Sequence, residues 1–183
     1  MGNERMTTIV AIKDVVTQHI VMAGDLRVSE PETGRYYDSN LVPKVAVRND
    51  VIFGVAGDKR LVDHVVLGWE PPETQADPVL AMHYELYPSL LEHIGDMEGD
   101  WQMLVGCRGS IFYVDSKGIA SDDGHLTAAV GSGAAYALGY LQHAHGWSNT
   151  RGVADMAIQV ASEFDMNTSS EAYVTEVHYD SIY

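Results

Sequence analysis

Met6-Thr7-Thr8-Ile9-Val10-Ala11-Ile12 is the stretch whose reading decides the rest of the chain. β-Branched residues dominate it and no charge interrupts it, which predicts a short buried strand. Two threonines open that strand directly after a methionine. A chain beginning at Thr7 would carry a hydroxyl and a free α-amine on one residue. An amine with a solution pKa of about 8 can take the hydroxyl proton as an intramolecular base. That is the arrangement of an N-terminal nucleophile. A plain first strand with threonines at its exposed end fits the same residues, and this stretch alone does not choose between them.

The length of 183 residues suits one domain with a full core, and 46% hydrophobic residues exclude a disordered composition. A formal net charge of -15, with only 11 Lys and Arg, opposes binding to nucleic acid or to an anionic membrane. The sequence has no signal-peptide pattern and no long apolar run. Its one cysteine, Cys107, excludes an internal disulfide, and a reducing cytoplasm is the expected location. Cys107 ends an apolar segment that reads as a buried strand, so a packed thiol is expected there rather than a nucleophile.

Working outward from the opening strand, Thr8 to Ile12 and His19 to Gly24 are close enough to pair as a hairpin, followed by Asp25-Leu26-Arg27. Ser29 to Gly34 reads as a loop. Lys44 to Val47 and Val51 to Gly57 flank the turn Arg48-Asn49-Asp50, again as paired strands. Helical spacing appears at Leu61, Val62, Val65, Val66 and Trp69, with Asp58 as the cap. A helix from about Pro78 is expected to bury Leu80, Tyr84, Tyr87, Leu91 and Ile94, and to kink or break at Pro88. Strands return at Trp101 to Cys107 and Ser110 to Val114, and Gly118 to Thr127 reads as a loop with a short strand. Small residues after Val130-Gly131-Ser132-Gly133 predict a close-packed internal helix. Another, from about Val153 to Phe164, should bury Val153, Met156, Ala157, Val160, Ala161 and Phe164. Ala172 to Tyr179 alternates like a closing strand. Strands grouped in hairpins predict antiparallel sheets rather than βαβ units, and helix pairs in two places can cover both outer faces. The expected fold is α+β, a four-layer α/β/β/α sandwich of two antiparallel sheets.

Six pieces then stand in a telling order: Thr7-Thr8-Ile9-Val10, Ala23-Gly24-Asp25-Leu26-Arg27, Lys44, Val55-Ala56-Gly57, Gly131-Ser132-Gly133 with Tyr136-Ala137-Leu138, and Asp165-Met166-Asn167-Thr168. From Thr7 onward the chain resembles the proteasome β-subunit family, closest to the bacterial HslV-type threonine peptidase, an N-terminal nucleophile hydrolase. The resemblance implies that Thr7 supplies the nucleophilic oxygen and its own α-amine. It implies that Lys44 lowers the proton affinity of that oxygen and that Asp25 holds Lys44 charged. Ser132, Asp165 and Thr168 would hold the amine and a proton-shuttling water. The Gly57 N–H would stabilise the oxyanion, and Val55 would line the pocket for the side chain before the scissile bond. Taken without the resemblance, Asp25 could end a strand, Lys44 could lie on the surface, Ser132 could cap a helix, and Asp165 with Thr168 could form an Asx-type turn.

The resemblance further implies a threonine-type endopeptidase acting on peptides or unfolded proteins inside a self-compartmentalising homo-oligomeric ring, with an ATPase unfoldase as a further partner and no cofactor. Residues 7–183 would form one proteasome-β-like peptidase domain, and residues 1–6 a pro-segment or upstream extension. A catalytically silent ring or scaffold protein with an unprocessed N-terminus is the rival reading, and a small-molecule amidase of the same superfamily a third. Thr7 could become terminal by self-cleavage after Met6, where relatives often carry glycine, or by translation from Met6 and removal of the methionine. Trp69 and Trp147 are expected in subunit contacts.

Other chemistry is weaker. His143 and His145 alternate on a helix end and do not face the same way, so no metal site is expected. Asp122-Asp123, Glu30 and Glu32 read as solvated loop charges. Gly131-Ser132-Gly133 lacks the lysine and glycine spacing of a phosphate loop.

Overall fold

The computed structural model describes residues 7–30, 35–38, 42–120, 125–144 and 149–180. In chain order the strands and helices are β1 (Thr8–Asp14), β2 (His19–Asp25), β3 (Arg27–Glu30), β4 (Arg35–Asp38), β5 (Val45–Arg48), β6 (Val51–Gly57), α1 (Lys59–Gly68), α2 (Pro78–Ala81), a π-helical turn (Met82–Leu86), α3 (Tyr87–Ile94), β7 (Trp101–Cys107), β8 (Ser110–Asp115), β9 (Gly118–Ala120), β10 (Thr127–Gly131), α4 (Ala134–Leu141), α5 (Thr150–Phe164) and β11 (Ala172–His178). One antiparallel sheet has the order β10-β1-β2-β11 and the other β5-β6-β7-β8-β9, while β3 and β4 pair as a separate hairpin.

The period-two alternation of β1 and β2 sorts their side chains onto two faces. Val10, Ile12, Val21 and Ala23 meet Ala137, Leu141, Ala154, Ala157, Ile158 and Ala161 of α4 and α5. Ile9, Ala11, Ile20 and Met22 point the other way, against Ile52, Ala56, Leu104 and Ile111 of the second sheet. On that sheet's far side Phe53, Val55, Met103, Val105 and Phe112 pack under Leu61, Val65, Trp69, Met82, Leu86 and Leu90. Three apolar interfaces thus separate four layers, helices on sheet on sheet on helices, as expected. At the middle interface Gly54 lets the sheets meet: a Cβ there would lie 2.7 Å from Ile9 Cγ2 and 2.8 Å from Val45 Cγ1.

Several local expectations change. Ser29 and Glu30 end β3 rather than starting a loop, and residues 31–34 lie outside the described set. The helix near Pro78 passes Pro88 without a break. A π turn precedes the proline, with the Tyr87 N–H reaching Met82 O, which takes up the register that the missing proline N–H disturbs. The wider turn also shifts the buried face to Ala81, Met82, Leu86, Leu90 and Ile94, leaving Leu80, Tyr84 and Leu91 exposed. Helix α4 is an outer-layer helix with only Ala137 and Leu141 buried, not an internal one. On α5 the buried set is Val153, Ala154, Ala157, Ile158 and Ala161, so Met156 and Phe164 face outward. Trp69 is 1% exposed, edge-on to Phe53 at 4.9 Å, and therefore belongs to the core rather than to a subunit contact. Asp58 caps α1 as expected, accepting the Arg60 N–H at 2.9 Å. Cys107 is buried, and burial pushes its thiol up to about 12. Met6, Asp122-Asp123, Glu32, His145 and Trp147 lie outside the described residues.

Candidate active site

The site begins where β2 ends. Asp25, 0% exposed, accepts four hydrogen bonds. Its Oδ1 takes the Thr8 N–H at 2.8 Å and Lys44 Nζ at 2.9 Å, and its Oδ2 takes the N–H groups of Arg27 at 3.0 Å and Ser169 at 3.2 Å. A buried carboxylate is costly unless it is paired and hydrogen-bonded, and Asp25 is both. Lys44 precedes β5 and is buried, and its Nζ also donates to Arg27 O at 2.6 Å. Burial pushes the Lys44 ammonium below the ordinary lysine range, and the Asp25 carboxylate acts against that pull. Lys44 is therefore not a surface lysine, and Asp25 does more than end a strand. The Arg27 side chain is structural, with Nε 3.2 Å from Asp38 Oδ1 and Nη1 2.8 Å from Met166 O.

A second carboxylate cluster forms at the C-cap of α5. Asp165 Oδ2 accepts Ser132 Oγ at 2.6 Å and Thr168 Oγ1 at 2.7 Å, while Oδ1 accepts the Asn167 N–H at 3.0 Å. The Asn167 bond is the local turn that the residues alone suggest. The Ser132 bond is not, because it joins the start of α4 to the end of α5. Ser132 does not cap α4 either: Gly133 holds that position without a side-chain bond.

The two clusters meet at one peptide group, that between Thr7 and Thr8. Its carbonyl, Thr7 O, accepts the Ser132 N–H at 2.9 Å, and its N–H is the one held by Asp25. Thr7 is 2% exposed. Gly131, opposite Thr8 in the β1–β10 ladder, has φ +99° and passes so close that a Cβ would fall 1.7 Å from Thr7 O. Only glycine fits there.

Gly57 and Val55 stand on β6 of the second sheet. Gly57 ends that strand with φ +156°, and a Cβ would lie 2.7 Å from Asp100 O. Val55 is 0% exposed within the outer core of its sheet, so its side chain is fully enclosed. The structure thus brings Asp25 and Lys44 together, brings Ser132, Asp165 and Thr168 together, and hangs the Thr7 backbone between them. Thr8, Ser169 and the Arg27 backbone also belong to this cluster and are missed by the sequence reading. The threonine doublet and the hydroxyl run Thr168-Ser169-Ser170 are the available signals. Away from the cluster, His143 Nδ1 lies 2.9 Å from Gly139 O in its own helix end.

No family model matches the chain, and no curated protein matches it. Solved structures do. BPH from Thiobacillus denitrificans in complex with epoxomicin superposes with a TM-score of 0.73 at 19% identity, covering 94% of this chain and 99% of that one. A second structure of Thiobacillus denitrificans BPH gives 0.69 at 21% identity, covering 94% and 98%. Eukaryotic HslV from Trypanosoma brucei gives 0.68 at 16% identity, covering 94% and 99%. These likenesses span nearly the whole of both partners. The resemblance drawn from Thr7, Asp25, Lys44 and the Gly131-Ser132-Gly133 turn therefore holds at the level of architecture: the chain has the proteasome β-like, N-terminal nucleophile hydrolase fold of BPH and HslV.

Proposed function

We propose that this chain is a threonine-type N-terminal nucleophile peptidase that works in a homo-oligomeric ring on peptides or unfolded proteins. The observation that carries the proposal is the Thr7–Thr8 peptide group, held on one side by the Asp25–Lys44 pair and on the other by the Ser132–Asp165–Thr168 cluster. A structural strand end needs neither a buried lysine nor two buried carboxylates. With Thr7 terminal, its α-amine takes the Oγ1 proton as the oxygen attacks a peptide carbonyl, and the same amine returns the proton to the leaving amine. Lys44 stabilises the developing alkoxide, and Asp25 orients Lys44. The Gly57 N–H stabilises the oxyanion. Ser132 and Thr168, anchored on Asp165, fix the amine and the water that hydrolyses the acyl-enzyme.

The test compares the full chain with one translated from Met6, whose methionine is removed to expose Thr7. Peptide turnover and the intact mass after incubation with epoxomicin, the compound bound in the BPH structure, are the readouts. The shorter protein should cleave peptides and gain one epoxomicin, and Lys44→Ala should abolish turnover while leaving assembly intact. Equal turnover by protein that still carries Met1 would sink the N-terminal nucleophile mechanism. An inert, unlabelled Thr7-terminated protein would favour the silent scaffold.

A further inference from the structure

We infer that Thr8 is a positioning residue of this site, joining the Asp25 and Asp165 clusters through one side-chain hydroxyl and one backbone N–H. The inference rests on the peptidase reading and extends it to a residue outside the nucleophile, the lysine pair and the amine-holding triad. Thr8 Oγ1 lies 2.6 Å from Thr168 Oγ1 and accepts the Gly133 N–H at 3.1 Å. Thr168 Oγ1 is also 2.7 Å from Asp165 Oδ2. A hydroxyl has one proton to give, and a carboxylate has none. The Thr168 proton therefore goes to Asp165, and the Thr8 proton must go to Thr168. The direction of the whole chain follows: Gly133 N–H to Thr8, Thr8 to Thr168, Thr168 to Asp165, with Ser132 converging on the same carboxylate oxygen. Each hydroxyl in such a chain is a stronger donor because it also accepts.

Thr8 is 0% exposed, so its hydroxyl cannot meet a substrate. Its backbone N–H is bound to Asp25 Oδ1, the oxygen that also holds Lys44. One residue, adjacent to the nucleophile, thus ties both carboxylates to the Thr7 backbone. The geometry leaves no slack at this junction: a Cβ on Gly133 would fall 2.3 Å from Thr8 Oγ1 and 2.9 Å from Thr168 Oγ1. Removing the hydroxyl strands the buried Gly133 N–H, weakens Thr168 as a donor and frees the Asp165 arm from the residue that it positions. With less donation from Thr168, Asp165 keeps more of its negative charge toward the Thr7 amine and raises the amine's proton affinity.

The experiment uses Thr7-terminated protein carrying Thr8→Val, Thr8→Ala or Thr8→Ser, with steady-state kinetics, pH profiles and native mass. Val keeps the β-branched shape and loses only the hydroxyl function. For Thr8→Val, kcat should fall by on the order of 10- to 100-fold, the scale of a small misplacement of reacting groups, with KM within about twofold. The acid limb of its kcat/KM profile should move to higher pH. Thr8→Ser should restore both kcat and the limb. Wild-type kcat and pH profile in Thr8→Val would overturn the inference. So would a loss in Thr8→Ser as large as in Thr8→Val, which would assign the effect to packing. Failure of both Val and Ala to assemble, with Ser intact, would make the hydroxyl structural and likewise overturn it. An inert wild type would instead fail the peptidase reading itself.

Discussion

Asp25 and Lys44 differ in what their loss leaves behind. Lys44→Ala strips Asp25 of one donor, but the N–H groups of Thr8, Arg27 and Ser169 remain. Asp25→Asn leaves a buried ammonium facing an amide and one carbonyl, and places amide hydrogens against N–H donors. Breaking such a pair from the carboxylate side costs about 3–5 kcal/mol. Both variants should lose turnover, but Asp25→Asn should also melt well below Lys44→Ala; equal melting temperatures would contradict the four-donor account. Cys107 gives a prediction with a defined pH window. Burial raises its thiol from 9.0 to about 12, so the folded chain keeps a proton that the unfolded chain releases above pH 9. Its contribution is complete below pH 9 and is lost toward pH 12 at up to about 1.4 kcal/mol per pH unit. Tyr87, Tyr140 and Tyr179, each raised by burial from 10.0, act in the same direction at higher pH. Between pH 9 and 10 the urea midpoint of the wild type should therefore fall, and that of Cys107→Ala should stay nearly flat. Parallel slopes for the two proteins would remove the thiol from the account.

At the scale of elements, the helix through Pro88 and the strand through Gly54 both depart from what their residues favour. A proline inside a helix frees the carbonyl four residues back and crowds the preceding turn. Here the π turn from Met82 to Leu86 absorbs both effects, and the helix keeps a continuous buried edge at Met82, Leu86, Leu90 and Ile94. Gly54 is a weak strand former in the middle of β6. Its missing side chain makes room for Ile9, Val45 and Met22 Sδ, whose atoms all come within 3.0 Å of where a Cβ would sit. Gly54→Ala should therefore destabilise by about 1–3 kcal/mol through overpacking, despite the better strand propensity of alanine. Urea unfolding measures this, and an unchanged or raised midpoint would show that the sheets can separate at no cost.

For the molecule as a whole, the ring remains the testable part of the proposal. Trp69 is removed from the candidate contact residues by its burial. The exposed aromatics on the outer helices are instead Tyr136 and Phe164, stacked at 5.3 Å and 44% and 64% exposed. Exposed apolar side chains that stack on one another are a feature of covered surfaces. Native mass spectrometry at micromolar concentration should give a multiple of the 20.0 kDa subunit. A strictly monomeric mass would count against a self-compartmentalising peptidase.

Much of this architecture is written locally, because strand alternation, helix spacing and capping depend on residues within a few positions of one another. The pairing of β1 with β2, the Asp58 cap and the four-layer order all follow from such short-range patterns. The resemblance at Asp25, Lys44, Ser132 and Asp165 named the residues of the cluster in advance, since each is a motif position with a distinctive side chain. What tertiary structure alone decided is of another kind. It turned the helix at Pro88 by inserting a π turn, enclosed Trp69 and Val55, and made Thr8 a junction between residues 125 and 160 positions away. Hydrogen bonds between backbone and small hydroxyls leave almost no trace in sequence, because any threonine looks alike until the chain closes around it. Only packing two sheets and two helices against β1 fixed which way its hydroxyl gives its proton.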